Sequence, residues 1–176
     1  MCGLLVFVAV MAGSSSAAAP TAGSACPRAT AKPGTATPSQ LRHATLCLIN
    51  KVRAVQGLPA LKLNADLTRI AKHHTKTMLS ADCLKHRCHG EPALKKRFRK
   101  SGYVEGATQW SYAEDVGYES TPKQMVSRWL NTTLDVRNLL NQGYQDVGIG
   151  PVLGAADPGV SDSDFVTYTI DLGSRG

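Results

Sequence analysis

A segment bracketed by two cysteines places the tightest constraint on how this chain can fold. Residues 82–91 read DCLKHRCHGE, so Cys83 and Cys88 enclose His86 and are followed directly by His89. Such a segment is either part of a metal site or a disulfide-closed loop that presents an imidazole. The compartment decides between the two, because disulfides persist in oxidising compartments and are rare in the cytosol.

The N-terminal residues indicate secretion. Residues 3–11 (GLLVFVAVM) form a short apolar run followed by small residues, as in the hydrophobic region and cleavage zone of a signal peptide. The run is too short to span a bilayer, although no Lys or Arg precedes Arg28. We therefore expect residues 1–25 to be a signal peptide and the secreted protein to have no transmembrane segment. A lipoprotein acylated at Cys26 and an uncleaved anchor are the less favoured alternatives.

Four cysteines remain once residues 1–25 are removed, and an even number in an oxidising compartment favours two disulfides. Cys83 and Cys88 are close enough in sequence to close a small loop, which leaves Cys26 to pair with Cys47. A zinc ion bound by the residues of this loop is the rival hypothesis. It is weaker because no second ligand pair lies at the spacing of a zinc finger.

The charge of the chain is distributed very unevenly. Residues 28–100 contain 16 basic and 3 acidic residues, a net +13, whereas residues 101–176 contain 4 basic and 10 acidic residues, a net −6. No nucleic-acid-binding motif accompanies this charge, so we expect no nucleic-acid partner. The densest run, KKRFRK at 95–100, is most simply a solvated helix face. Either the basic half packs on the acidic half, or it faces an anionic cell-wall polymer or phospholipid headgroup.

Hydrophobic periodicity predicts helices and strands in a single domain over residues 40–176, after a flexible, disulfide-tethered lead-in at 26–39. Helices are predicted at 40–55, 64–79, 93–100, 121–130 and 134–140, and extended segments at 108–118, 144–152 and 165–172. Helices on both sides of a small sheet form a layered α/β domain.

Short motifs in this chain resemble those of the CAP superfamily, which comprises cysteine-rich secretory proteins, antigen 5 and plant pathogenesis-related proteins. The bacterial secreted branch, of the actinobacterial type, is the most similar. The motifs are NKVR at 50–53, AKHHTKTM at 71–78, CLKH at 83–86, WSYAEDV at 110–116, WLNT at 129–132 with NLL at 138–140, VGIG at 147–150 and YTIDLG at 168–173. No single motif is specific, but their order and spacing are. The resemblance implies a three-layer α-β-α sandwich with a central cleft.

The resemblance also implies a cleft lined by two histidines and two acidic residues that can hold a divalent cation. His86 matches the first histidine and Glu114 the first acid. Asp135 stands in place of the second histidine, Thr132 in place of the second glutamate, and Asp115 in place of the asparagine after Glu114. We expect His86, Glu114, Asp135 and Thr132 to line the ligand-binding cleft.

One imidazole and two carboxylates, those of His86, Glu114 and Asp135, form a conceivable metal site for Zn²⁺, Mg²⁺ or Ca²⁺. The alternative is an internal ion-pair cluster in which the two carboxylates raise the pKa of His86. Elsewhere, His74 faces the core by its helical spacing, so we expect a hydrogen-bonded structural residue there. We expect no role for His89.

We predict a secreted, monomeric protein that acts by binding rather than by catalysis. Its expected ligand is a small amphiphile or a cell-wall component held in the cleft. Two alternatives remain open. One is a metal-dependent hydrolase that uses His86 and Glu114 as acid–base groups, although the loss of an imidazole at Asp135 argues against it. The other is an interaction protein whose basic residues 95–100 dock an anionic polymer.

Overall fold

The structure is a computed structural model that describes residues 25–160 and 162–176. Its helices are α1 (Pro38–Val55), α2 (Ala65–Ser80), α3 (Leu94–Lys100), α4 (Pro122–Leu130) and α5 (Thr133–Leu139). Its strands are β1 (Lys62–Leu63), β2 (Trp110–Glu119), β3 (Asp146–Ile149), β4 (Val152–Leu153) and β5 (Val166–Arg175), and a short 3-10 turn lies at Asp162–Asp164. In this part of the chain, no helix is both long and apolar enough to cross a bilayer.

The sheet is organised around β5. The strand order is β1-β3-β5-β2, with β4 also paired to β5, and only the β1–β3 pair is parallel. Residues 166–173 of β5 are all buried, because helices cover both faces of the sheet. Helices α1, α4 and α5 pack on one face, and α2 and α3 pack on the other. The predicted three-layer α-β-α sandwich is therefore confirmed.

Local capping signals explain where the helices begin. The side chain of Asn64 accepts hydrogen bonds from two backbone N–H groups of the first turn of α2, as predicted. Helix α1 begins at Pro38, two residues before the predicted start. Thr37 and Gln40 form a reciprocal capping box there, and proline is favoured at the first helical position.

Helix α2 lies directly against the sheet because two glycines of the sheet region lack side chains. A Cβ atom at Gly148 would collide with the backbone of Leu67, and one at Gly150 would collide with the backbone of Ala71. The hydroxyl of Thr75 donates to the carbonyl of Gly150 at 2.7 Å. This close approach fixes the face of α2 that carries His74 above the sheet.

Two strands differ from the sequence prediction. The single strand predicted at 144–152 is divided into β3 and β4, which flank Gly150 and Pro151. Strand β1 was not predicted, because two residues carry no periodicity that a pattern can detect. It pairs with β3 through Lys62 and Leu63 and closes one edge of the sheet.

Both predicted disulfides are confirmed, Cys26–Cys47 and Cys83–Cys88. The first ties the lead-in to α1, and the lead-in also accepts a hydrogen bond at the carbonyl of Ala29 from the N–H of Lys123, at 2.8 Å. The predicted signal peptide lies outside the described residues except for residue 25.

Removing each disulfide should lower the free energy of unfolding according to the length of the loop that it closes. The Cys26–Cys47 bond joins residues 21 apart, and the Cys83–Cys88 bond joins residues 5 apart. Chain entropy predicts losses of about 3 kcal/mol for the first double alanine variant and about 2 kcal/mol for the second. Urea unfolding of the oxidised proteins measures both values. Free thiols in the unmodified protein would contradict the assignment.

Candidate functional site

The centre of the site is a histidine–glutamate pair that joins the disulfide loop to the sheet. The Nδ1 atom of His86 lies 3.1 Å from Oε1 of Glu114, which is on β2. The His86 side chain is 62 % exposed, whereas the Glu114 side chain is 0 % exposed. One ring edge of His86 is therefore anchored on a buried carboxylate while the rest of the ring faces solvent.

Arg97 on α3 neutralises Glu114 from inside the protein. Its Nη1 atom lies 2.7 Å from Oε2 of Glu114, an ion pair whose angle is not that of a hydrogen bond. Its Nη2 group donates to the backbone carbonyl of His86 at 2.8 Å. The prediction that residues 95–100 form a solvated face is wrong for Arg97 and Phe98, which are buried, because the inner side of this short helix packs on α2 and β2.

His74 holds the disulfide loop against α2. It is fully buried, its Nδ1 atom lies 2.8 Å from Oε1 of Glu91, and its Nε2 atom lies 3.0 Å from the carbonyl oxygen of Lys85. The second oxygen of Glu91 accepts a hydrogen bond from the N–H of Cys88. His74 is thus a hydrogen-bonded core residue, and its contacts fix the backbone on both sides of His86.

A second buried carboxyl group lies behind Glu114. Asp171 on β5 is the cross-strand partner of Glu114, and it is fully buried. Neither of its oxygens accepts a hydrogen bond from a described residue. Burial, and then the negative charge of Glu114, raise the pKa of Asp171 well above its usual range. Burial therefore favours the uncharged form of the Asp171 carboxyl group.

Glu114 itself stays ionised. Burial alone would raise its pKa, but the hydrogen bond from His86 and the neighbouring charges of His74 and Arg97 outweigh burial, so the pKa is lowered. The result is a buried carboxylate that holds an exposed imidazole in one orientation.

On the other face of β2, two aspartates lie at the positions where the resemblance to the CAP superfamily implies an asparagine and a histidine. Asp115 is buried, and its Oδ1 atom accepts a hydrogen bond from Asn138 at 2.6 Å. Burial, opposed by the hydrogen bond from Asn138 and reinforced by the nearby Asp135, raises the pKa of Asp115 to about 8. Asp115 is therefore mostly protonated at neutral pH, and the negative charge of Asp135 acts on His86 from α5.

Thr132 is connected to Asp115 and Asp135 only because it precedes α5, the helix that carries Asp135. It is the exposed N-cap residue of α5, and its hydroxyl donates to the carbonyl of Arg128 at 3.1 Å. No hydrogen bond among the described residues joins it to His86 or Glu114.

The proposed metal ligands are not assembled into a metal site. Among the described residues, no group of three or more His, Cys, Asp or Glu side chains is placed to hold a metal ion. Glu114 is already paired with Arg97 and His86, so a divalent cation would have to displace a guanidinium group. These residues do not fit a resident metal ion, and we derive no chemistry through one.

An open groove of about 550 Å³ lies between residues 81–85 and the segment 156–158. One wall is the disulfide loop, including Cys83, Leu84 and Lys85, and the other is the segment 156–158. Leu84 and Cys83 pack with Ala156 beneath the groove. The groove therefore has an apolar floor, and one of its lining residues, Lys85, directly precedes His86 in the sequence.

Three members of the polar cluster were not predicted as site residues from the sequence, namely Glu91, Arg97 and Asp171. Arg97 carries a signal that could have revealed it, because Leu94 and Phe98 recur at helical spacing and place Arg97 beside the apolar side of α3. Asp171 lies in a segment whose alternating side chains predict a strand, but this alternation does not show that helices cover both faces of the sheet. Glu91 lies in a loop and carries no such signal.

His86 should titrate above its ordinary range. The hydrogen bond to Glu114 raises the pKa of His86, partial burial opposes it, and the charges of Glu114 and Asp135 add to the increase. Protonated His86 therefore contributes to the free energy of unfolding. This contribution is fully present below the unfolded-state pKa of His86 and is lost as pH rises through its raised folded-state pKa. NMR titration of the imidazole measures the shift. In Glu114→Gln the pKa of His86 should fall, and an unchanged pKa would contradict the pairing.

Comparisons with known proteins agree with this architecture. A sequence profile described as the cysteine-rich secretory protein family, CAP, matches residues 46–168. Comparison of the sequence with curated proteins finds no significant match.

Three solved structures illustrate the similarity. An extracellular protein containing an SCP domain from Bacillus anthracis has 22% identity and a TM-score of 0.60, over 79% of this chain and 44% of that one. An outer surface protein from Borrelia burgdorferi has 18% identity and a TM-score of 0.61, over 74% of this chain and 90% of that one. A cysteine-rich secretory protein from Staphylococcus aureus has 24% identity and a TM-score of 0.55, over 80% and 40%.

At these identities the similarity establishes the fold alone. The chain spans less than half the length of the Bacillus and Staphylococcus proteins.

Proposed function

Since this chain belongs to the CAP family of cysteine-rich secretory proteins, we propose that it is secreted and binds a small amphiphile or a cell-wall component in the cleft around His86, Glu114 and Asp135. The observation that carries the proposal is an exposed imidazole, anchored on a buried carboxylate, in the same disulfide loop as the groove-lining residues Leu84 and Lys85. Secretion is supported by the two disulfides, which persist in oxidising compartments, and by the signal-peptide pattern of residues 1–25.

The imidazole supplies a polar anchor for the ligand. Because Nδ1 of His86 is directed at Glu114, the Nε2 edge remains for a ligand. The raised pKa of His86 increases the fraction of imidazolium, whose Nε2–H donates to a phosphate or carboxylate oxygen. Asp135 is only partly buried and lends further negative charge nearby, so a headgroup that also carries a donor or a positive charge fits best.

The groove supplies the apolar part of the site. Its volume lies within the range of small-molecule sites, about 300–1,000 Å³. Leu84 and Ala156 give it an apolar floor, while Asp82 and Lys85 lie at the sides. An elongated molecule with a polar head at His86 and a short apolar segment in the groove would use both parts.

The same contacts favour binding over catalysis. The Glu114 side chain is fully buried, with His86 beside Oε1 and the Arg97 guanidinium beside Oε2, so it is not placed to accept a proton from a substrate or a water. The cluster holds the imidazole in place rather than activating it.

The test is calorimetric titration of the oxidised protein with single-chain phospholipids, fatty acids and soluble wall fragments. We expect saturable binding by at least one class that weakens about tenfold or more in His86→Ala, the cost of losing one charge-assisted hydrogen bond. His89→Ala is the matched control, because His89 is an exposed histidine in the same loop. Binding should survive a chelator.

Two results would overturn the proposal. One is the absence of saturable binding across the panel, and the other is an equal loss of affinity in His86→Ala and His89→Ala.

A further inference from the structure

We propose that the outer face of α2 and α3 is a second binding surface, which takes a linear, phosphate-bearing polymer. This surface is separate from the cleft and does not rest on the function proposed for it. It follows from where the structure places the excess positive charge of residues 28–100.

Helix α2 presents a stripe of cations to solvent. Arg69, Lys72 and Lys76 are exposed and recur at three- and four-residue spacing, so they share one side of the helix. His73 is exposed between them. The opposite side of α2 is buried on the sheet. At about 1.5 Å per residue, the stripe from Arg69 to Lys76 is about 10 Å long.

Helix α3 extends this stripe. Lys95, Lys96, Arg99 and Lys100 are exposed, while Arg97 points inward to Glu114. The two helices belong to one layer. Phe98 packs in the same apolar cluster as Leu67 and Ile70 of α2, and Arg69 donates to the carbonyl of Ser101 at the end of α3. The cations are therefore held on one connected surface.

The acidic half of the chain does not neutralise this surface. Glu114 and Asp171 are buried, and Glu114 pairs with the inward-facing Arg97. Within the described residues, the only ion pair on this surface is that of Arg69 with Asp66, 3.1 Å apart. The six remaining exposed lysines and arginines of the two helices form no ion pair with a described residue. Such unpaired charge attracts a polyanion.

The shape of the surface favours a polymer over a membrane. Peripheral membrane helices insert large apolar side chains beside their basic residues. The exposed large hydrophobic residues in the described chain are Val55, Leu134 and Leu153, which lie on α1, α5 and β4. The exposed cations of α2 and α3 instead form an extended row. Most of them are lysines, whose ammonium groups bind phosphate as point charges.

The test uses long-chain inorganic polyphosphate as the probe and anionic phospholipid vesicles as the second arm. We expect polyphosphate to bind, with an affinity that falls steeply between 50 and 500 mM salt, by about tenfold or more. A surface variant replaces four exposed lysines with glutamine: Lys72→Gln, Lys76→Gln, Lys96→Gln and Lys100→Gln. It should bind at least about tenfold more weakly.

The matched control removes the same charge from the other side of the molecule. It combines four substitutions at exposed positions of the lead-in, α1, α4 and α5: Lys32→Gln, Lys51→Gln, Lys123→Gln and Arg137→Gln. We expect it to bind polyphosphate within about twofold of the unmodified protein, and His86→Ala to bind it unchanged. Equal weakening in both quadruple variants would overturn the proposal, and so would binding to vesicles without binding to polyphosphate.

Discussion

Replacing Arg97 with methionine is expected to lower the free energy of unfolding by about 3–5 kcal/mol, the usual cost of leaving one member of a buried ion pair without its partner. Arg97 is 5 % exposed, and it lies 2.7 Å from the fully buried carboxylate of Glu114. Without the guanidinium, Glu114 keeps only the two neighbouring histidines as counter-charges. Urea unfolding monitored by circular dichroism measures the loss.

Two variants show whether the loss comes from the unpaired charge. Arg99→Met changes an exposed arginine two residues away on the same helix, and it should change stability by less than about 0.5 kcal/mol. Adding Glu114→Gln to Arg97→Met removes the stranded charge and should restore part of the lost stability. If the double variant is no more stable than Arg97→Met alone, the ion pair is not the source of the effect.

Replacing Arg53 with methionine should lower the free energy of unfolding by about 3 kcal/mol or more, because buried backbone acceptors lose their donor. Arg53 is fully buried at the end of α1. Its guanidinium donates to the carbonyls of Pro59 at 2.8 Å, Leu139 at 2.7 Å and Asn141 at 3.0 Å. It therefore joins α1 to the chain that leaves α5, the helix that carries Asp135.

The geometry of the guanidinium group is the basis of this prediction. Arg53→Lys keeps the charge but loses the planar fork, so it should recover little of the stability. Lys51→Met on the exposed side of α1 is the matched control and should be nearly neutral. Denaturant midpoints compare the three variants. An Arg53→Lys protein as stable as the unmodified one would show that charge alone matters at this position.

Much of the fold could be predicted because its signals are local. The cap at Asn64 and the periodicity of α2 are written in adjacent residues, and the two disulfides follow from the number and spacing of cysteines. The hydrogen bond between His86 and Glu114 joins residues 28 apart, and it could be expected only from the resemblance to a family.

The rest of the site depends on tertiary packing. Nothing in the run KKRFRK shows which of its cations turns inward, because the partner of Arg97 is a residue of β2. The pKa of Asp171 is raised because both faces of β5 are covered and Glu114 lies opposite. Asp115 and Asp135 come from different elements, and only the fold places their carboxyl groups near the same histidine. Such couplings are set by three-dimensional proximity.

Together these contacts form a rigid, buried wall of charged side chains. In front of this wall lies the exposed imidazole of His86. Five buried ionisable side chains stand behind His86: His74, Glu91, Arg97, Glu114 and Asp171. They are costly to bury, and their hydrogen bonds hold the disulfide loop in one position. This arrangement suits a binding site that has formed before its ligand arrives.

The central claim, that the ligand binds at His86 and in the groove lined by the same disulfide loop, is tested most directly by two-dimensional NMR of the oxidised protein during titration with the amphiphile that binds tightest in calorimetry. The account predicts saturating shifts that concentrate on Leu84, His86 and Ala156, with the imidazole resonances of His86 among the largest. In His86→Ala the remaining shifts should require about tenfold more ligand. Saturating shifts confined to the outer face of α2 and α3, or to residues far from the groove, would contradict it.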